Sequence, residues 1–276
     1  MSIFYAILSA FGFGITNSLL KIPTQKIGPI YSLLIRASIA CAIFLPFALP
    51  LKFDFYWIFI TLLLSLIGFF GLFFLFKAFE IGKVGLVSAV VNSNFVILII
   101  FSSLFLGSSF QPVFILWILI ILIGIFLFSL NLQDLKSPKG LNFAIITVIF
   151  FGIAFSFWKY PVNNIGAFQT AFWIEFGNII FSLLYIFFTK TKVNFSVLNT
   201  RLKIYLLLSG ITVAVGSVFQ SLALQYGETN QVAPIFATST LFSTLFAVIF
   251  FKERLNIKEI IGILLIVFGV AMLAVY

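Results

Sequence analysis

Ten apolar stretches follow one another along this chain with only short connections between them. They occupy 2–20, 29–50, 56–76, 84–106, 113–131, 141–158, 166–189, 203–224, 231–251 and 258–275. Each is close to the roughly 20 residues that a helix needs to cross the hydrocarbon core of a bilayer. The runs are continuous in polarity and do not alternate. That predicts helices and not barrel strands, because a backbone in lipid must satisfy its polar groups within its own element or a closed sheet. The longest connections, 132–140 and 190–202, are too short for a separate soluble domain. Composition agrees, since 63% of residues are apolar and 8% charged, against about 45–50% and about 25% in soluble domains.

Chemistry is limited by what the chain lacks. There is no histidine, and Cys41 is the only cysteine. Imidazole catalysis, an intramolecular disulfide and a zinc site built on such ligands are excluded. No catalytic residue, metal or cofactor is expected. The formal charge of +9 would suggest nucleic acid on a soluble protein. Here the basic residues sit mainly between apolar runs, where they set topology, and no nucleic-acid partner is expected. The first run lacks a basic leader and a small-residue cleavage site, so it reads as a retained span. The 40 Phe residues read as lipid-facing bulk.

The chain also repeats itself. Residues 78–130 align without a gap on 223–275, placing Ala78 on Ala223, Gly82 on Gly227 and Gly124 on Gly269. Nearer the start, Lys21-Ile22-Pro23 falls on Lys159-Tyr160-Pro161, and Ile27-Gly28 on Ile165-Gly166. The organisation is therefore read as a five-helix repeat over 1–131, a connecting loop over 132–140 and a second five-helix repeat over 141–276. Five is odd, so the second copy enters the membrane from the opposite side. The fold class is an all-α integral membrane protein with ten transmembrane helices in two inverted-topology repeats, a recurring transporter plan with the substrate near the midplane. Duplication that merely enlarges a bundle is the alternative.

Thirteen Lys and Arg residues lie on the face carrying the connections after odd-numbered spans, against Lys52 and Lys159 on the other. The positive-inside rule then puts both termini outside.

Ionisable groups inside spans are costly and point to function. Arg36 and Glu175 are such groups, in the repeat-equivalent spans 2 and 7. At 1.5 Å per residue they lie about 12 Å and about 13.5 Å deep from opposite faces. In a core of about 30 Å their heights differ by only about 4.5 Å. They are expected to pair, or to bind a zwitterion jointly; a purely structural ion pair and an Arg36 that snorkels to its nearer face both stay open. Polar residues expected around them are Asn17 in span 1, Ser88 and Asn92 in span 4, Asn178 one turn beyond Glu175, Gln220 with Gln225 in span 8, and Trp158. Trp158 also suits an interface anchor. Gly12 and Gly14 read as helix-packing positions or a loosened gate, and Gly262 with Gly269 as a packing face within the protomer or a dimer.

The stretch Ala223-Leu224-Gln225-Tyr226-Gly227, leading to Lys252-Glu253-Arg254-Leu255, resembles a motif of the EamA-like members of the drug/metabolite transporter superfamily. The resemblance covers essentially the whole chain. It departs at Thr240, where the family often has proline, and in the first repeat, where Phe95 and Ser108 replace the proline and glutamate. Many family members keep both termini in the cytoplasm, against the charge count above. The resemblance implies a secondary transporter, an exporter, of a small polar or amphipathic metabolite such as an amino acid, in a bacterial or archaeal cell (inner) membrane. Its partners are the lipid bilayer and a small-molecule substrate. Coupling to a proton or substrate gradient, and a monomer or homodimer, stay open. A lipid-linked flippase is the alternative within transport. An intramembrane enzyme is the alternative outside it, with Glu175 as a lone span-embedded acid. No nucleotide-hydrolysis motif is present.

Overall fold

A computed structural model describes residues 1–48, 53–82, 84–105, 112–129, 140–192, 198–251 and 257–275. Among these the chain is helical, without strands. The helices are α1 (Ser2–Ile27), α2 (Pro29–Ala48), α3 (Phe55–Ile81), α4 (Val84–Asn92), α5 (Asn94–Phe105), α6 (Pro112–Ser129), α7 (Leu141–Ser156), α8 (Lys159–Ile165), α9 (Ala167–Thr189), α10 (Thr200–Tyr226), α11 (Thr229–Ala237), α12 (Ser239–Phe251) and α13 (Ile257–Val275). Among the described residues, six helical stretches are long and apolar enough to cross a membrane: α1, α2, α3, the run Leu141–Ile165 that joins α7 and α8, α9 and α10. Shorter apolar helices cover Val90–Phe101, Pro112–Leu127, Gln231–Phe246 and Ile260–Met272. Lys52, Lys83, Ser108, nearly all of the 132–140 connection and the Lys252-Glu253-Arg254-Leu255 motif lie outside the described residues.

Equivalent positions of the two halves share their local structure. Gly28 (φ 80°, ψ 164°) and Gly166 (φ 83°, ψ 164°) make the same left-handed turn after α1 and α8, a conformation that a Cβ penalises. Ser32 and Thr170, one turn on, return their hydroxyls to the Gly28 and Gly166 carbonyls at 2.8 and 2.9 Å. Asp54 caps α3 by accepting from the Trp57 N–H, and Asn199 caps α10 by accepting from the Leu202 N–H. Each satisfies one of the donors that a helix start leaves orphaned.

The core is reached by close helix approach, because lipid gives no hydrophobic reward for bringing helices together. α1 packs along α10 and against α12, α2 against α9, α3 against α7, and α6 against α13. A Cβ on Gly12 would stand 2.7 Å from the Gly216 nitrogen, and one on Gly14 would stand 2.6 Å from the Ser239 carbonyl oxygen. Both glycines therefore serve packing, on two faces of α1. A Cβ on Gly124 would meet the Gly262 carbonyl oxygen at 2.9 Å, and one on Gly269 would meet Ile121 at 2.6 Å. Gly262 and Gly269 thus pack inside the protomer, on α6. Large apolar side chains such as Phe59, Phe187, Leu207 and Leu264 are exposed around the bundle, as suits a surface that faces lipid.

Candidate functional site: a cavity around a buried ion pair

The segments 84–106 and 231–251, read as single spans, are each broken near the middle. Ser93 separates α4 from α5 and Thr238 separates α11 from α12, and these two positions are repeat equivalents. The bonding matches pair by pair. The Ser93 N–H and hydroxyl donate to the Val90 carbonyl at 3.1 and 2.6 Å; those of Thr238 donate to the Ile235 carbonyl at 3.0 and 2.7 Å. Such local hydroxyl bonds compete with the helical ladder. Pro234 lies one turn before the second break, whereas the first half has Ala89 there, so proline is not what the breaks share. At their meeting point Asn92 Nδ2 donates to Ser239 Oγ at 2.9 Å and to Thr240 Oγ1 at 2.5 Å.

The two breaks border a cavity of about 110 Å³. Arg36 from α2 and Glu175 from α9 meet in its wall. Arg36 Nη2 donates to Glu175 Oε2 at 3.0 Å, and both side chains are 3% exposed. Pairing is the arrangement observed, so snorkelling of Arg36 is ruled out in this conformation. Asn178 Nδ2 donates to the same Glu175 oxygen at 3.2 Å. In repeat terms Arg36 corresponds to Ile174 and Glu175 to Ala37. The pair is thus one residue out of register across two equivalent helices that pack together.

Of the polar residues expected at this site, Asn17, Asn92, Asn178, Gln220 and Trp158 line the cavity beside Arg36 and Glu175. Trp158 is buried and donates from Nε1 to Ser221 Oγ at 3.1 Å. It does not serve as an interface anchor, because the turn between α7 and α8 holds it inside the bundle against α10. Ser88 is buried but is not among the cavity-lining residues, and Gln225 is exposed. Gln225 is five residues from Gln220, and at 3.6 residues per turn it points to another side of α10. Ser217, one turn before Gln220, lines the cavity and was missed; the spacing of Ser217, Gln220 and Ser221 was the available signal. A second missed contact lies at the end of α10. There Lys159 donates to the Gly227 carbonyl at 3.0 Å and stands 3.8 Å from Glu228.

Residues 1–130 and 138–275 match the EamA-like transporter family. The chain belongs to that family. An EamA-like chain is a member of the drug/metabolite transporter superfamily, and with its membrane-length apolar helices this one is an integral membrane protein. An uncharacterized protein of Methanocaldococcus jannaschii is 26% identical over 131 residues, 48% of this chain and 93% of that protein. One protein crystal structure superposes over 98% of both chains with a TM-score of 0.76 at 16% identity, which shows a shared fold.

Proposed function

We propose that this EamA-like protein is a secondary transporter that exports a small polar or amphipathic metabolite, an amino acid being the best instance, across a bacterial or archaeal cell membrane. The observation that carries this reading is the cavity walled by a buried Arg36–Glu175 pair where two repeat-equivalent helices meet. Ionisable groups are retained at such depth in a membrane protein mainly along substrate or ion pathways. The reading takes the chain as ten spans in two inverted five-helix repeats. The equivalent turns at Gly28 and Gly166, the two family-matched segments and a relative matched by 48% of this chain support that organisation.

Alternating access needs elements that bend at the level of the site. Ser93 and Thr238 supply a matched pair of helix breaks beside the cavity, consistent with substrate sites formed at discontinuous helices. Each hydroxyl bond contributes about 0.5–1.5 kcal/mol. The double variant Ser93→Ala/Thr238→Ala is expected to slow exchange about tenfold, equivalent to about 1.4 kcal/mol on the barrier, at unchanged folded yield. Unchanged initial rates would remove these residues as hinges.

The deciding experiment for the function is uptake into sealed proteoliposomes against a panel of amino acids, other small metabolites and labelled lipid-linked headgroups. Accumulation of an amino acid supports the reading. Movement of the lipid probe alone favours a flippase, and product formation without vectorial movement favours an intramembrane enzyme.

A further inference from the structure

Near the end of α3, Lys77 adds a charge to a feature that both halves of the chain share. Phe74 stacks on Phe143 with ring centres 6.1 Å apart, and the repeat-equivalent rings, Phe219 and Tyr5, stack at 5.8 Å. Three residues after Phe74 comes Lys77, whereas three after Phe219 comes Leu222. The aromatic pair therefore belongs to the shared fold, and the ammonium does not. Lys77 Nζ lies 4.8 Å from the centre of the Phe73 ring and 5.7 Å from that of Phe143. Rings at this range steady a cation through their quadrupole, yet they do not replace oxygen acceptors for its three N–H donors. The Lys77 ammonium has no ion pair or hydrogen bond among the described residues, and Glu80, one turn on, is not paired with it.

More positive charge is gathered at the same level. α3 and α9 run side by side in the same direction, meeting once per turn. Ser65 Oγ donates to the Ile174 carbonyl at 2.8 Å, Phe69 meets Phe181 at 6.0 Å, and Phe73 meets Tyr185 at 5.0 Å. The next turn brings Lys77 level with Thr189, just before Lys190 and Lys192. Tyr31 fixes this segment by donating its hydroxyl to the Thr191 carbonyl at 2.8 Å. Lys190 and Lys192 are exposed, and neither has a carboxylate partner among the described residues. On the other side of Lys77, an aromatic strip runs away from it along α3 and α7. Phe74 and Phe70 both meet Phe150, at 6.1 and 5.7 Å, and Phe70 is 40% exposed.

We propose that Lys77, Lys190 and Lys192 bind the headgroup phosphate of an anionic phospholipid whose acyl chain lies along the Phe70, Phe74 and Phe150 rings. This site is on the outside of the bundle, apart from the Arg36–Glu175 cavity. Its chemistry selects the occupant. Phosphate oxygens are the acceptors that the three ammoniums lack, and charge-assisted bonds to them are strong. Lysines at a membrane surface attract anionic lipid in particular. A cation at the end of an apolar aromatic strip matches a molecule with an anionic head above a hydrocarbon chain. A soluble anion would use the lysines and leave the strip bare. A zwitterionic phospholipid would bring its own cation against three others.

The test is native mass spectrometry of the full-length protein released from detergent micelles that hold equal amounts of phosphatidylglycerol and phosphatidylcholine. Bound phosphatidylglycerol is expected to predominate. Lys77→Leu, which installs the residue of the other half, is expected to cut that preference about fivefold, equivalent to about 1 kcal/mol. Lys190→Gln/Lys192→Gln changes exposed positions only, and is expected to cut it at least as much; it decides the matter should Lys77→Leu not fold. Lys258→Gln removes one exposed charge at the start of α13 and is expected to leave the preference unchanged. An equal loss in Lys258→Gln would mean general attraction to a basic surface and would overturn the site. So would a wild type without preference, or a folded Lys77→Leu or Lys190→Gln/Lys192→Gln that keeps it in full. Displacement of the lipid by an equal concentration of glycerol 3-phosphate would overturn it too, because the acyl chain would then contribute nothing.

Discussion

Glu175→Leu is expected to destabilise the protein by about 3–5 kcal/mol, the usual cost of removing one partner of a buried ion pair. Arg36 would remain in the wall with its charge uncompensated, since its pair is 3.0 Å away on Glu175 and both groups are almost wholly buried. Arg36→Met should be nearly as costly, because Glu175 keeps only the Asn178 amide. The double variant Arg36→Met/Glu175→Leu is expected to recover folded yield, because replacing a buried pair by apolar side chains of similar volume is often neutral or stabilising by about 1–4 kcal/mol. It should nonetheless transport nothing, having lost both recognition charges. Thermal unfolding of purified protein and proteoliposome uptake, measured on the two single variants and the double, separate the roles. A stable double variant with normal transport would reduce the pair to a strut between α2 and α9. A double variant as unstable as either single would mean that the site holds the fold by more than charge balance.

How this pair was legible in sequence shows what sequence carries in a membrane protein. Depth in a span is arithmetic on residue number, so Arg36 and Glu175 could be brought to one level from opposite faces before any fold was known. The turns at Gly28 and Gly166 were readable for a similar reason: a repeat that conserves Ile-Gly at both places conserves the backbone those residues permit. The breaks at Ser93 and Thr238 were not readable. Each lies in a polar triplet, Asn92-Ser93-Asn94 or Thr238-Ser239-Thr240, that fits the polar face of an unbroken helix as well as a break, and the feature they share is a hydroxyl bond that forms only once the helix is there to accept it. Which helix face looks inward was only partly readable. Asn92 reaches the cavity while Ser88, a turn earlier on α4, does not line it, because periodicity gives direction around a helix and says nothing of how far the cavity extends along it.

Gly14 and Gly68 put the same substitution to opposite use. Gly14→Leu is expected to abolish folded protein. A Cβ there would lie 2.6 Å from both the Ser239 carbonyl oxygen and Phe242 Cβ, and 2.9 Å from the Ser243 nitrogen, so most of what it meets is backbone that cannot rotate away. Overpacking commonly costs about 1–3 kcal/mol where side chains can adjust, and here α1 would have to leave α12 altogether. α1 also carries Thr16 and Asn17 to the cavity, so fold and site fail together. Gly68→Leu should leave folding intact, since a Cβ at that position has no atom within 4 Å. Yet Gly68 lines the cavity, so the new side chain would enter the space the solute needs. Unchanged thermal unfolding, with uptake and solute binding both lost, is the expected result. Full transport by a folded Gly68→Leu would show that the solute takes another route, and would detach the Arg36–Glu175 cavity from the transport pathway whatever its charges bind.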